Sequence, residues 1–195
     1  NIFERTTNAL QEKKNMGDTI VTTLDYNLQS TAYNALGYGK GAVLVLEPDT
    51  GRILAMVSKP DFDPNSIDSI WKSVTEGTVN DDTILLNRAT QGLYPPGSTF
   101  KTLTALEFMR ENPDWEAYQY TCEGEGVFNN IGMHCYNNTV HGTVDLPDSL
   151  AYSCNTSFSN IGTDLNLDRF HTLCEDFGFN VALPYGGNYN KSSFV

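Results

Sequence analysis

Ser98 and Lys101 stand three residues apart, directly after the stiff lead-in Tyr94-Pro95-Pro96-Gly97. On a helix, residues i and i+3 share a face, so the Lys101 amine comes within hydrogen-bond reach of the Ser98 hydroxyl. A serine is a weak nucleophile until a base takes its proton, and a lysine kept neutral by burial is one such base. The pair therefore reads as a candidate activated nucleophile. Proline and glycine stop the preceding segment, Ser98 takes the N-cap position, and Phe100, Leu103, Leu106, Phe108 and Met109 give the helix an apolar face. The tetrad alone is a weak signal, because Ser69-Ile70-Trp71-Lys72 repeats it in the same chain. The bland reading makes Ser98 only a cap and Lys101 only a solvated helix lysine.

A second constellation, Ser153-Cys154-Asn155, follows fifty-five residues after Ser98. Ser153 and Asn155 straddle one residue and can point to the same side of a loop or helix end. A hydroxyl can relay a proton to a departing amine, and a carboxamide can both donate to and accept from a substrate amide. Taken singly the triplet reads as a capping turn; joined to Ser98 and Lys101 it becomes a far more specific signal. Cys122 and Cys135 with His134 raise the question of zinc, but no second close pair at metal-ligand spacing accompanies them, so no zinc site is expected. Cys154 reads as a small buried filler, Cys174 as core on an amphipathic helix, and His141 and His171 as structural or exposed.

The elements that must position these residues alternate between α and β. Residues 1–16 are polar and read as a lead or connector from an upstream region. Asp18 to Leu24 alternates and is β-branched, as a strand should be. Asp25 caps a helix through Leu28, Ala32, Ala35 and Leu36 that stops at Gly37. A hairpin follows: Ala42 to Leu46, the turn Pro48-Asp49-Thr50-Gly51, and Arg52 to Val57. Both strands are nearly continuous in apolar residues, which implies a sheet covered on both faces. Lys59 to Asn87 reads as a long loop with one short helix, and Tyr118 to Gly142 as a small β-ribbon. Helices are expected after Asp145, from Phe158 to Leu165 and from Asp168 to Phe177, with loop over 179–195.

Composition sets the outer limits. A chain of 195 residues accommodates one domain with a sizeable core. Twenty-four acidic against twelve basic side chains give a net charge of −12, which repels nucleic acid phosphates and anionic headgroups and argues against such partners. No apolar run is long enough to span a membrane, and the chain begins at Asn1 rather than methionine, so it reads as a segment excised from something longer.

With these residues in view, the chain resembles the transpeptidase domain of penicillin-binding proteins, within the serine acyltransferase group that also holds the serine β-lactamases. Pro95 to Lys101 resembles the first motif, S-x-x-K, and Ser153-Cys154-Asn155 the second. Thr22 to Asp25 with Leu28-Gln29, the Gly41 to Val57 hairpin, and His141-Gly142 ahead of Asp145-Leu146 extend the similarity to roughly residues 17 to 180. No K-T-G or K-S-G triplet, the third motif, occurs after Asn155.

The resemblance implies an α+β, β-lactamase/transpeptidase-like fold: a partial central antiparallel sheet, flanking helices and a helical lobe, with the C-terminal strands missing and residues 17–195 a truncated domain. It implies a D,D-transpeptidase of peptidoglycan cross-linking, acylated at Ser98 by D-Ala-D-Ala stem peptides and by β-lactams. Lys101 is then the base, Ser153 the proton relay and Asn155 the holder of the substrate amide. It also implies an extracytoplasmic location in the cell envelope, with a membrane anchor outside this chain, and a truncated sheet edge that favours self-association. A β-lactam sensor or a non-catalytic binding module of the same fold is the alternative. In that compartment Cys122 and Cys135 are either two free thiols or a disulfide, which in the chain-entropy model is worth ~3 kcal/mol for a loop of this size.

Overall fold

The computed structural model describes residues 19–76 and 83–194, with Phe3, Thr6, Thr7, Leu10 and Gln11 near the start. The expected lead over 1–16 falls mostly outside the described residues. The chain divides into two compact units, Asn1–Ala89 and Thr90–Val195.

In the first unit, helix α1 (Tyr26–Leu36) begins where expected: the Asp25 carboxylate accepts from the Leu28 amide at 2.9 Å, and the helix stops at Gly37. Strands β1 (Gly41–Glu47) and β2 (Arg52–Lys59) pair antiparallel, with a register shift at Val45/Leu46. Helix α1 packs on one face of this hairpin, where Ala32, Ala55 and Val57 are buried with Leu36, Val43 and Val45 against them. The other face is covered only at one end, where Ser58 Oγ donates to the Leu86 carbonyl at 3.0 Å and accepts from the Arg88 amide at 2.9 Å, and Asn87 Nδ2 meets Met56 Sδ at 3.4 Å, while Leu44 and Leu46 remain 43% and 50% exposed. This corrects the expectation of cover on both sides: burial in β1 alternates, and only one row of side chains meets the helix.

Residues 19–24, expected as a strand, form no ladder. Only their end is tied to β2, through Thr23 Oγ1 to the Ile53 carbonyl at 2.5 Å and the Asp25 amide to the Leu54 carbonyl at 2.9 Å. A single 3-10 turn, Pro64–Ser66, and helix α2 (Ile67–Thr75) then interrupt the expected long loop. The second S-x-x-K lies on α2, where Lys72 is solvated and pairs with Glu76 at 4.0 Å. The short helix α3 (Arg88–Gln91) closes this stretch.

The second unit is built on four helices and a β-ribbon. A 3-10 turn, Gly97–Phe100, leads into α4 (Lys101–Glu111). Strand β3 (Tyr120–Cys122) pairs with β6 (Gly142–Val144), and β4 (Glu125–Phe128) forms a hairpin with β5 (Ile131–His134). Helices α5 (Leu146–Ala151), α6 (Asn155–Asp164) and α7 (Leu167–Asp176) complete it. The core gathers Leu103, Phe108, Leu146, Phe158, Ile161, Phe170 and Leu173, at the interfaces α4 makes with α5, α6 and α7. Among these helices the buried carboxylate of Glu107 pairs with Arg110 at 3.2 Å and Arg169 at 3.3 Å, so its charge is met at the rim by two guanidinium groups.

Residues 179–194 have no regular structure, as expected, yet they pack. Asn180 donates to the Phe194 carbonyl at 2.6 Å and accepts from its amide at 3.0 Å. The Phe194 ring then lies 5.6 Å from Phe100 and 5.4 Å from Phe170. Phe100 is thus held by aromatic contacts immediately before Lys101.

Candidate active site

Ser98 is not the side-chain cap that its position suggested. It sits inside the 3-10 turn, entered by Gly97 at φ 58°, a left-handed conformation that glycine adopts without steric cost, and α4 starts only at Lys101. The hydroxyl of Ser98 is exposed and makes its contacts across space. Ser153 Oγ donates to Ser98 Oγ at 2.9 Å, and Lys101 Nζ lies 3.4 Å from the same oxygen.

Lys101 is the hub. Its Nζ donates to the Ser153 carbonyl at 2.7 Å, to Ser153 Oγ at 2.9 Å and to Asn155 Oδ1 at 2.6 Å, and it lies 5.6 Å from the centre of the Phe158 ring. An ammonium has three protons, so the contact to Ser98, the longest, is the one a neutral amine can reverse to accept a proton. Burial pushes the Lys101 amine below the ordinary lysine value, while the thiol groups of Cys135 and Cys154 pull the other way.

The turn carrying Ser153 is fixed from beneath. Asp145 caps α5 by accepting from the Asp148 amide at 2.7 Å, and the Cys154 amide returns to the Ser149 carbonyl at 2.8 Å. Ser149 is fully buried; its hydroxyl donates to the Asp145 carbonyl at 2.5 Å and meets Ser157 Oγ at 2.7 Å, which in turn lies 3.0 Å from the Tyr118 hydroxyl. Between α5 and α6 the backbone passes through Ser153 at φ 52°, unusual for a residue with a Cβ. Its effect is to aim the side chain and the carbonyl of Ser153 at the same amine. Asn155, the first residue of α6, is oriented by its other end: Nδ2 donates to the His134 carbonyl at 3.0 Å.

All four residues singled out from the sequence therefore meet in one cluster. The His134 carbonyl was not foreseen, since a backbone acceptor leaves no mark in residue type. The four cysteines are free thiols, and Cys122 Sγ and Cys135 Sγ stand 3.7 Å apart, so the two are close without a disulfide. Cys174 is buried in the helical core and Cys154 is fully buried, both as expected.

The sequence argument against a metal does not survive folding. Cys122, Cys135, His141 and Cys154 place their ligand atoms within 4.8 Å of one another, so the missing second pair is supplied by residues distant in the chain. His141, expected to be merely structural or exposed, is half-buried and has Nδ1 3.4 Å from Cys122 Sγ. The spacing C-x12-C-x5-H-x12-C contains no short pair and offers no local signal.

Known proteins resemble this chain over most of its length. Residues 41–194 match the family model described as the penicillin binding protein transpeptidase domain. The peptidoglycan D,D-transpeptidase MrdA of Acinetobacter baumannii is 32% identical over 170 residues, covering 84% of this chain and 25% of that protein. The peptidoglycan D,D-transpeptidase PbpA of Mycolicibacterium smegmatis is 31% identical over 185 residues, covering 86% of this chain and 37% of that one. The chain thus spans well under half the length of these curated relatives. Among solved structures, the D,D-transpeptidase domain of a peptidoglycan glycosyltransferase from Eggerthella lenta superposes with a TM-score of 0.80 at 29% identity, over 91% of this chain and 44% of that one. The penicillin G acyl-enzyme complex of penicillin-binding protein A from M. tuberculosis gives a TM-score of 0.79 at 26% identity, over 98% of this chain and 48% of that one.

Proposed function

The chain belongs to the penicillin binding protein transpeptidase domain family, and on that footing we propose that residues 17–195 are the N-terminal part of a serine-type peptidoglycan D,D-transpeptidase domain. The observation that carries this reading is the convergence on one amine: Lys101 Nζ reaches Ser98 Oγ, Ser153 Oγ and Asn155 Oδ1 together. A capping serine and a solvated lysine have no need of such a cluster.

In this mechanism neutral Lys101 takes the Ser98 proton while Ser98 Oγ attacks the carbonyl of the penultimate D-alanine of a stem peptide. The tetrahedral intermediate collapses as Ser153 passes a proton to the departing D-alanine amine, leaving an acyl-enzyme. The amine of a second stem peptide then takes the acyl group and restores Ser98. Asn155 holds the substrate amide, with its own orientation set by the His134 carbonyl. The Ser98 N–H, among the first amides of its 3-10 turn, is available as an oxyanion donor. A β-lactam enters the same path as a mimic of D-Ala-D-Ala and stops at the acyl-enzyme. No step requires a metal or organic cofactor at the reacting atoms.

The location that goes with this chemistry is the extracytoplasmic cell envelope, with the intact protein anchored in the bacterial cytoplasmic membrane. No helix among the described residues is long and apolar enough to cross a membrane. Among the described residues the β1–β2 sheet has only two strands, and its unpaired edges support self-association of this chain.

The test is intact mass spectrometry after incubation with a penicillin, on this chain, on a longer form carrying a K-T-G segment, and on Ser98→Ala in each. An adduct on at least the longer form that disappears with Ser98→Ala supports the nucleophile. No adduct on any form sinks the proposal in favour of a binding module. Stoichiometric labelling without transfer to a D-amino acid acceptor points instead to a β-lactam sensor.

A further inference from the structure

Helix α1 ends at Gly37, whose φ of 56° is a left-handed conformation open to glycine, and Tyr38 follows, fully exposed. At Gly39 a Cβ would stand 3.1 Å from the Leu36 carbonyl oxygen, so this position also favours glycine. The two glycines hold one bare tyrosine out from the helix end. The loop around it is nonetheless anchored. The Gly37 and Gly39 amides donate to the Asn34 and Leu36 carbonyls at 3.1 and 3.0 Å. From the end of β2, Lys59 Nζ donates to the Tyr33 carbonyl at 3.0 Å and to the Gly37 carbonyl at 2.6 Å, and it lies 3.6 Å from the centre of the Tyr33 ring.

Between this loop and the segment Lys59-Pro60-Asp61 lies a cleft of about 550 Å³, wholly within the first unit. Ligand pockets commonly measure about 300–1,000 Å³. The lining narrows what fits. A phosphate or carboxylate calls for unspent donors, but the Gly37 and Gly39 amides and the Lys59 ammonium are already bonded within the protein. A cation meets two lysines, Lys40 and Lys59, against the single carboxylate of Asp61. That carboxylate faces the Tyr33 hydroxyl: its charge and its hydrogen bond raise Tyr33 above the ordinary tyrosine value. A purely apolar molecule would desolvate Asp61 and Asn34 and offer them nothing in return. What the cleft presents is the open face of the Tyr38 ring, the Asn34 carboxamide, which both donates and accepts, and the remaining lone pairs of Asp61. A flat apolar surface beside separated donors and acceptors matches a pyranose, with C–H bonds on its face and hydroxyl or acetamido groups at its edge.

We propose that this cleft binds an uncharged amino-sugar segment of a glycan strand, with Tyr38 stacked on a sugar ring and Asn34 and Asp61 at its polar edge. The saccharide class rests on the cleft alone; the choice of an amino sugar rests on the peptidoglycan reading, because stem peptides are carried on such strands. The loop is anchored before any ligand arrives, so little ordering cost is charged against binding. A strand presents the same unit again and again, so a modest affinity at one cleft is enough to retain the polymer. The cleft holds the strand and takes no part in acyl transfer.

The experiment is a titration of the whole chain carrying Ser98→Ala with chitotetraose, a linear oligomer of N-acetylglucosamine, followed by amide chemical shifts in nuclear magnetic resonance. The expected result is a saturable shift at the amides around the cleft, from Tyr33 to Lys40 and at Lys59 and Asp61. Truncating an aromatic anchor at a binding site weakens affinity at least about fivefold, and Tyr38→Ala should do so here. Its ring is fully exposed, so the change leaves the fold intact. Asn34→Ala should weaken binding as well. Tyr26→Ala, at an exposed tyrosine on the opposite end of α1, should leave it unchanged. No saturable shift up to about 10 mM overturns the site, as does an affinity that Tyr38→Ala leaves unaltered. Inorganic phosphate shifting the same amides at lower concentration than the saccharide overturns the ligand class. Because Ser98→Ala removes the nucleophile, the binding result is independent of acylation. Saccharide binding with no penicillin adduct on any form would sink the transpeptidase reading alone, and an adduct without saccharide binding would sink the cleft alone.

Discussion

Lys101 is where desolvation and chemistry meet. Because burial lowers its affinity for the proton, the neutral amine forms at lower pH than on a free lysine. The sign of the pH effect follows: acylation of Ser98 should quicken as pH rises and level off at a midpoint below 10.5, the ordinary lysine value. A second-order rate constant for penicillin that falls between pH 6 and 9 would remove Lys101 from the role of base. Lys101→Arg tests the same point, since a guanidinium keeps its proton and cannot act as a base. The expected loss is about 10²–10⁴-fold in acylation rate with circular dichroism unchanged. At this scale the chain was largely readable: Ser98, Lys101, Ser153 and Asn155 announce themselves through type and spacing. What could not be read was any partner defined by closure of the fold, namely the His134 carbonyl and the gathering of Cys122, Cys135, His141 and Cys154.

At the scale of elements, the candidate site is held by short helices whose ends matter more than their middles. Helix α5 is only Leu146–Ala151, too short to be stable alone, and its cap is the Asp145 carboxylate. Asp145→Ala should cost about 1 kcal/mol, measured as a lower midpoint in urea. Through the Ser149 carbonyl that receives the Cys154 amide, it should also loosen the turn at Ser153. A stability change within about 0.2 kcal/mol of zero would show that the cap contributes nothing. Helix α1, the first hairpin and the helices after Asp145 were legible because periodicity, caps and turn residues agree there. Residues 19–24 were misread because β-branched alternation reports only local preference, and among the described residues no neighbouring strand pairs with them. The start of α4 was placed two residues early, since a 3-10 turn carries the same residues as a helix start.

For the whole molecule, the first unit sets the behaviour in solution. A two-stranded hairpin with one apolar face only partly covered is marginal by itself, and the exposed Leu44 and Leu46 lie on that face. Apparent mass in light scattering should rise with protein concentration, and more steeply in high salt, because the net charge of −12 otherwise keeps copies apart. Leu44→Lys with Leu46→Lys should restore the monomer; a monomer at every concentration and salt in the unmodified chain would remove this surface from consideration. The overall free energy of folding is a small difference between large sums, so single positions weigh on it. Ser153 is one such position. Its left-handed backbone costs on the order of 1–3 kcal/mol that glycine would largely avoid. Yet glycine there would remove the hydroxyl that touches both Ser98 and Lys101. Under the proposed mechanism, endurance and acyl transfer therefore pull against each other at a single codon, and a lineage selected for heat tolerance alone would be expected to drift toward a sturdier protein without that chemistry.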